Sequence, residues 1–546
     1  MDLGAANRKS FDKLRINRPC RRGSVKVPGY RPDFIGAVPA RDPDFIGKKG
    51  GTAVLAPRPF KGWGLFVWRE MYYPSLAEIK RRKDRGNLAP VYREIRADLE
   101  TPVSAYLKIA RGDYSFLLES VEGGERLARY SFLGTEPAQI LTTGGKKKTD
   151  PLKLIEAEFK KYRPVPVEGL PRFHGGMVGY LSYEVARYFE RLPSPEADPI
   201  ALPEARLVLA DTLLVFDHLT HVIKVVAHVR LDGDIEKSYQ EATGKIDQLV
   251  ARLRQPVLEP SGIPSANGNE TTANLTQSEY ESVVARMKEH ICNGDIIQGV
   301  PSLRLARKTG AHPFEIYRAL RSVNPSPYMY YLHLGDFHIV GASPELLVRV
   351  EDGVVSNHPI AGTRPRGRDP EADAALADEL KSDEKERAEH LMLVDLARND
   401  VGRISRPGTV EVTQFMDIER YSHVMHLVSH VQGRLREGLT QFDALRACFP
   451  AGTVSGAPKI RAMEIIAALE PDKRGPYAGA VGYFDFSGNM DTAIAIRTII
   501  VKDGVAYFQA GAGIVADSVP ASEYRECLNK AQAMLTAIDN AEAGER

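Results

Sequence analysis

DEKERAEHLMLVDLARND, residues 383–400, is the stretch from which the reading of this chain starts. It has the spacing of one amphipathic helix. Leu391, Leu393, Val394 and Leu396 are expected to supply much of its buried stripe, while Glu386 and Glu389, three apart, project from one face. Carboxylates held side by side repel unless a cation or a basic group lies between them. A second pair, Glu523 and Glu526, stands three apart in PASEYRECLNKAQAML, residues 520–535, again a helical run. Four carboxylates without His or Cys companions suit a hard, oxygen-preferring ion such as magnesium. Most glutamate pairs are simply solvated helix faces, and spacing alone leaves both readings open.

Around the 383–400 helix, most segments read as strands joined by short turns. Thr276 and Glu279 form a capping box, and the helix they open runs to Gly294. Strands follow in DIIQGVPSLRLAR, YMYYLHL, FHIVGAS and LLVRVEDGVVSN, the last turning at Asp352–Gly353. PIAGTRPRG (359–367) is expected to be a loop. Strands EVTQFM, AGAVGYFDF, AIAIRTIIV and AYFQAGAGIVA, with helices near FDALRACFP and after AGTVSGAPK, lead to the terminal helix. Sequential strands with short turns predict an α+β fold, with large antiparallel sheets forming a sandwich-like core and helices outside.

The region 71–254 repeats that mixture. Leu76–Asp98 suggests two short helices, and SAYLKIA (104–110) with YSFLLES (114–120) suggests a hairpin. RLVLADTLLVFDH (206–218) and HVIKVVAHVRL (221–231) read as two strands about a tight turn. Residues 255–275 are rich in Pro, Ser, Asn and Gly, a linker or long surface loop before a region that runs from 276 to 540. Residues 1–70 differ from all of this. They hold 15 Lys+Arg against 6 Asp+Glu, net +9, which leaves −7 for the rest of a chain of net +2. Their Pro and Gly content and lack of apolar periodicity predict a disordered basic extension. Met71 is the expected start of the functional chain, which would then contain neither Trp63 nor Trp68.

Bulk composition is that of a soluble globular protein, 43% hydrophobic and 26% charged over 546 residues. The near-neutral total gives no general pull toward nucleic acid or a membrane surface. No apolar run is long enough to cross a bilayer. Cys20, Cys292, Cys448 and Cys527 are scattered without metal-type spacing, so a reduced, cytoplasmic setting is expected.

PIAGTRPRG, DEKERAEHLMLVDLARND, RYSHVMHL, FPAGTVSGAPKIRAMEII, GAVGYF and QAGAGIVADSVPASEYRECLNKA resemble, in order and spacing, the chorismate-utilising enzymes of the anthranilate synthase component I type. The resemblance covers roughly residues 72–540. It implies that Mg2+ is held by Glu389 and Glu526, with Glu386 and Glu523 reaching the ion or its waters. It further implies that Arg497, Tyr477 and the loop Gly511–Ala512–Gly513 bind the enolpyruvyl carboxylate of chorismate. Gly362, Thr363 and Thr453 would line the ring, and Lys530 belongs to the same pocket. Glu345 in GASPELL matches the family's acid at the leaving hydroxyl, and His426 is the expected base for removal of the ring proton.

Two positions narrow the chemistry within that family. Gln298 stands where relatives that activate water carry Lys, and Ala361 stands where aminodeoxychorismate synthases carry Lys. A neutral amide cannot deprotonate water and a methyl group cannot be a nucleophile, so ammonia attack and an anthranilate product are expected. LLES (117–120) and NPSPYM (324–329) resemble the family's feedback site for tryptophan, with Ser120, Pro327, Tyr328 and Met329 against the ligand and Gly482–Tyr483 beside it. None of the four cysteines has the Gly-flanked setting of a glutaminase nucleophile. A separate glutamine amidotransferase subunit is therefore expected, in a heterotetramer of the family type, and the isolated chain should work with ammonium salts. Two alternatives remain at this level: a 2-amino-2-deoxyisochorismate synthase that does not eliminate pyruvate, and a non-catalytic tryptophan- or chorismate-binding regulator.

Overall fold

The computed structural model describes residues 72–120, 129–145, 149–259, 270–421 and 424–544. The chain divides into two units, Met1–Val67 and Trp68–Arg546, and every described residue lies in the second. The basic extension, Met71, Trp63 and Trp68 lie outside the described residues.

Two large antiparallel sheets dominate, as expected. One runs Leu88–Arg96, Val222–Arg230, Thr212–Asp217, Tyr130–Thr135, Tyr114–Glu119, Tyr328–Leu334, Phe337–Ser343, Thr498–Lys502, Val505–Gly511, Ser302–Lys308 and Thr271–Ala273. The other runs Ile360–Pro365, Val424–Arg434, Val354–Asn357, Leu346–Glu351, Met490–Ile494, Ala480–Asp485, Gly176–Leu181, Ala205–Ala210 and Gln139–Thr143, with Glu411–Arg420 also paired to Val424–Arg434. Strands from either side of residues 255–275 enter both sheets.

Side-chain alternation builds the layers. In Tyr328–Leu334, Tyr330, Leu332 and Leu334 join Val178, Tyr180 and Tyr483 of the other sheet in a core shared by the two sheets. Met329 and Tyr331 point the other way, into helices carrying Ile246, Tyr280, Phe314 and Met534. The second sheet turns its outer face to the helices Glu384–Gly402, Gln441–Cys448 and Lys459–Leu469. Thr276 caps Gln277–Cys292 through the expected box with Glu279.

Several local expectations are corrected. The buried stripe of Glu384–Gly402 is His390, Leu393, Val394, Ala397, Asp400 and Val401, whereas Leu391 is 47% exposed. Residues 102–109 form a helix, not half of a hairpin: Pro102 opens it, and Thr101 and Ser104 cap each other reciprocally. In Leu76–Asp98 the helical pieces are the α-helix Leu76–Arg81 and a single 3-10 turn, Lys83–Arg85, while Leu88–Arg96 is recruited as a strand by its partner Val222–Arg230. Residues 206–218 are two strands in different sheets, parted at Asp211. Both are buried on both faces, so their continuous apolar run hides the break. The 359–367 loop is largely a strand, Ile360–Pro365, paired to Val424–Arg434 through a bulge between Ala361 and Thr363.

Candidate active site

The two glutamate pairs stand on Glu384–Gly402 and Pro520–Ala543, both helices with acidic first turns. Burial raises the pKa of Glu386, Arg364 at 3.4 Å pulls it back, and the neighbouring Glu389 pushes it up again. Burial likewise raises Glu523, with Glu526 adding to the rise, while Lys385 of the first helix draws it down; the two helices thus feel each other's charge. Glu389 accepts a hydrogen bond from Gln298 Nε2 at 3.2 Å. Glu526 lies 2.8 Å from Lys530 Nζ, which also donates to the Gly511 carbonyl at 3.0 Å.

The glycine loop sits between these contacts because nothing larger fits. A Cβ at Gly511 would come within 2.8 Å of both the Pro301 carbonyl and the Tyr477 hydroxyl, and one at Gly513 within 2.8 Å of Gln298 Nε2. Ala512 between them is fully buried. Gly362 has φ +65°, and a Cβ there would meet Glu386 at 3.0 Å, so this residue brings the Ile360–Pro365 strand against the acidic helix.

The strand pairing sets Thr363 opposite His426. His426 Nδ1 lies 2.9 Å from the Gly362 carbonyl and 3.0 Å from Thr363 Oγ1. A carbonyl only accepts, so the neutral ring carries its proton on Nδ1 and leaves Nε2 with a free lone pair. Burial holds the His426 pKa below the ordinary histidine range, and the charge of Arg497 works in the same direction against the Gly362 bond.

Arg497 has φ +49°, a strained backbone for a residue with a side chain. Its Nη1 donates to Asn324 Oδ1 at 3.2 Å, and among the described residues no carboxylate pairs with it. Desolvation alone lowers its pKa. Its planar donors thus have the chemistry to take an anion, with no counterion against them among the described residues.

Glu345 is the reverse case. Burial lifts its carboxyl to about 8, although the Thr453 hydroxyl and the charge of Lys530 pull it down. It is therefore largely protonated at neutral pH and able to donate. Thr453 Oγ1 is buried beside it and closes no well-formed hydrogen bond. Electrostatic and direct contacts thus link Glu345, Lys530, the glycine loop and both acidic helices.

The proposed effector residues gather elsewhere. Ser120 follows Glu119, the register partner of Met329. Pro327 and Met329 are buried. The Tyr328 hydroxyl accepts from Arg349 at 3.0 Å and donates to Asp491 at 3.2 Å, while Arg349 Nε reaches Asp491 at 2.9 Å. Tyr483 faces Asp491 across the strands, accepts from Arg172 at 3.2 Å and stacks on Phe173 at 4.3 Å.

Among the described residues no three acidic, His or Cys side chains form a ready metal-ligand group. The donor chemistry nonetheless fits magnesium: all four groups are carboxylates, and Arg364, Lys530 and the Gln298 amide already lie against three of them. Sequence reading missed Asn324, which holds Arg497, and Arg364, which steadies Glu386. Asn324 opens NPSPYM and Arg364 lies in PIAGTRPRG, so both were inside quoted motifs but without an assigned partner.

A family model described as chorismate binding enzyme matches residues 113–536. The chain is 49% identical over 494 residues to anthranilate synthase component 1 of Acetivibrio thermocellus, covering 87% of this chain and 100% of that one. It is 50% identical over 476 residues to the component 1 of Pseudomonas putida, covering 84% and 96%. The crystal structure of anthranilate synthase component I from Streptococcus pneumoniae superposes with a TM-score of 0.68 at 39% identity, over 81% of this chain and 99% of that one.

Proposed function

The chain belongs to the chorismate binding enzyme family, and from that premise we propose that it works as the component 1 of an anthranilate synthase. It converts chorismate and ammonia into anthranilate and pyruvate, the entry step to tryptophan. The observation that carries this reading is the identity near 50% with named component 1 proteins over almost their whole length. The placement of the candidate residues supports it.

Chorismate brings two carboxylates to a site where, among the described residues, the Arg497 guanidinium has no carboxylate partner and two acidic helices meet. Arg497 offers its planar donors to the enolpyruvyl carboxylate, and the glycine loop with Tyr477 lets backbone N–H groups approach it. Gly362, Thr363 and Thr453 stand around the ring. Protonated Glu345 donates to the C4 hydroxyl as it leaves and ammonia adds at C2. His426 Nε2 then takes the C2 proton, its ring held by the Nδ1–H bond to Gly362. The C3–O bond breaks, the ring becomes aromatic, and the departing enolpyruvate takes up a proton at its methylene carbon to become pyruvate. Glu389 and Glu526, with Glu386 and Glu523, would hold Mg2+, which when bound neutralises the ring carboxylate and polarises the ring.

In this reading, residues 276–540 carry catalysis, and a tryptophan feedback site joins Ser120 of the region 71–254 to Pro327, Tyr328 and Met329 of the region 276–540. Ammonia comes from a component II amidotransferase in a heterotetramer, in the cytoplasm. No described helix is long and apolar enough to cross a membrane. Mass spectrometry of the products, with pyruvate measured in parallel, tests the proposal: equimolar anthranilate and pyruvate from chorismate and ammonium are expected. Accumulation of 2-amino-2-deoxyisochorismate without pyruvate would replace it.

A further inference from the structure

Beneath the candidate pocket lies a cation that no step above uses. Arg474 is 2% exposed and employs its guanidinium almost completely. Nε and Nη2 grip Glu470 at 2.8 and 2.6 Å, Nη2 also donates to the Val300 carbonyl at 2.6 Å, and Nη1 donates to the Val454 carbonyl at 2.8 Å. The same group stands 4.6 Å from the Tyr183 ring centre and 5.7 Å from that of Tyr477. Glu470 in turn receives the Ser302 N–H at 2.8 Å, and Glu184 receives the Arg474 N–H at 2.8 Å. The side chain is therefore fixed from every direction.

We propose that Arg474 is a positioning residue for the reaction, its guanidinium setting the spacing of three separate segments that line the pocket. Val300 lies two residues beyond Gln298, Val454 directly follows Thr453, and Tyr477 packs against Gly511. The fork donates to the first two and stands 5.7 Å from the ring centre of the third. Tertiary packing alone gives no reason for a charge here, because apolar residues of similar volume often replace a buried ion pair at no cost to stability. What they cannot copy is a planar group that donates in three directions at once, and neither can lysine.

The inference rests on the proposed reaction, so its test separates stability from chemistry. Wild type, Arg474→Lys and the pair Arg474→Met with Glu470→Gln are compared for melting temperature, chorismate affinity by calorimetry, and anthranilate formation over series of chorismate and of ammonium. Glu470→Gln keeps an acceptor for the Ser302 N–H and removes the charge that Arg474→Met would strand. The paired variant should melt within a few degrees of wild type yet lose about a hundredfold in kcat/KM. Arg474→Lys, which keeps the charge, should also lose most of that activity. The KM for ammonium should stay unchanged in both. Wild-type kcat/KM in the pair or in Arg474→Lys overturns the proposal. A wild-type chain that binds chorismate without making anthranilate sinks the reaction instead, and the affinities then decide: equal affinity in all three overturns the positioning role, and weakened affinity in both variants supports it.

Discussion

The candidate active site and the candidate effector site differ in how far they satisfy themselves. Around Tyr328 the charged groups are paired with one another: Arg349 with Asp491, Arg172 with Glu351, the tyrosine hydroxyl between Arg349 and Asp491. Around His426 the charges are only partly met: Arg364 reaches Glu386 and Lys530 reaches Glu526, but other groups stay open. Among the described residues Arg497 meets no carboxylate, Glu345 is buried so deeply that it holds its proton, and paired glutamates crowd one another. An open site gains its missing interactions from a ligand, whereas a closed one must exchange interactions it already has. Chorismate should thus be bound through charge, and tryptophan chiefly through shape.

The largest effect should come from the acidic helices. Glu389→Gln or Glu526→Gln should cut kcat/KM about a thousandfold, since several kcal/mol of charge stabilisation is at stake. Steady-state anthranilate fluorescence across a magnesium series checks this, and retained activity would break the contrast.

Glu345→Gln should cost about a hundredfold in kcat, the usual contribution of a general acid. The wild-type rate should fall on the alkaline side near pH 8, where Glu345 loses its proton, and on the acid side below the ordinary histidine range, where His426 gains one. The variant should lose the alkaline limb. The same shift has a stability consequence. A carboxyl raised from 4.5 to about 8 binds its proton more tightly when folded, so its contribution is full below 4.5 and is lost as pH rises toward 8. Denaturation midpoints of wild type and Glu345→Gln across that window should converge at low pH.

Arg497→Lys keeps the charge and loses the planar fork, so the KM for chorismate should rise roughly tenfold or more with a smaller change in kcat. Ser120→Phe should change activity least of all. It is expected to leave anthranilate synthesis intact and abolish inhibition by tryptophan; unchanged inhibition would move the effector site elsewhere.

Much of this was legible from residue order. The acidic pairs, the capping box at Thr276 and the turn at Asp352–Gly353 each depend on neighbours within four positions, and each stands as read. Short apolar runs were not legible: 104–110 and 206–218 are buried whichever element they form, so alternation carries no signal there. Leu391 failed for a related reason. His390, a polar residue, took the inward position through a 2.7 Å bond to Ser429.

The chain's own order of residues determined the family, the α+β class and the kinds of group available for chemistry, because these follow from side-chain type and local spacing. Folding alone decided that Arg497 meets Asn324, that Arg474 joins Val300 to Val454, and that Lys530 links Gly511 to Glu526. Those pairings depend on strand register and helix docking, which bring distant segments within hydrogen-bond range. No local pattern encodes the distance between residues that lie far apart along the chain.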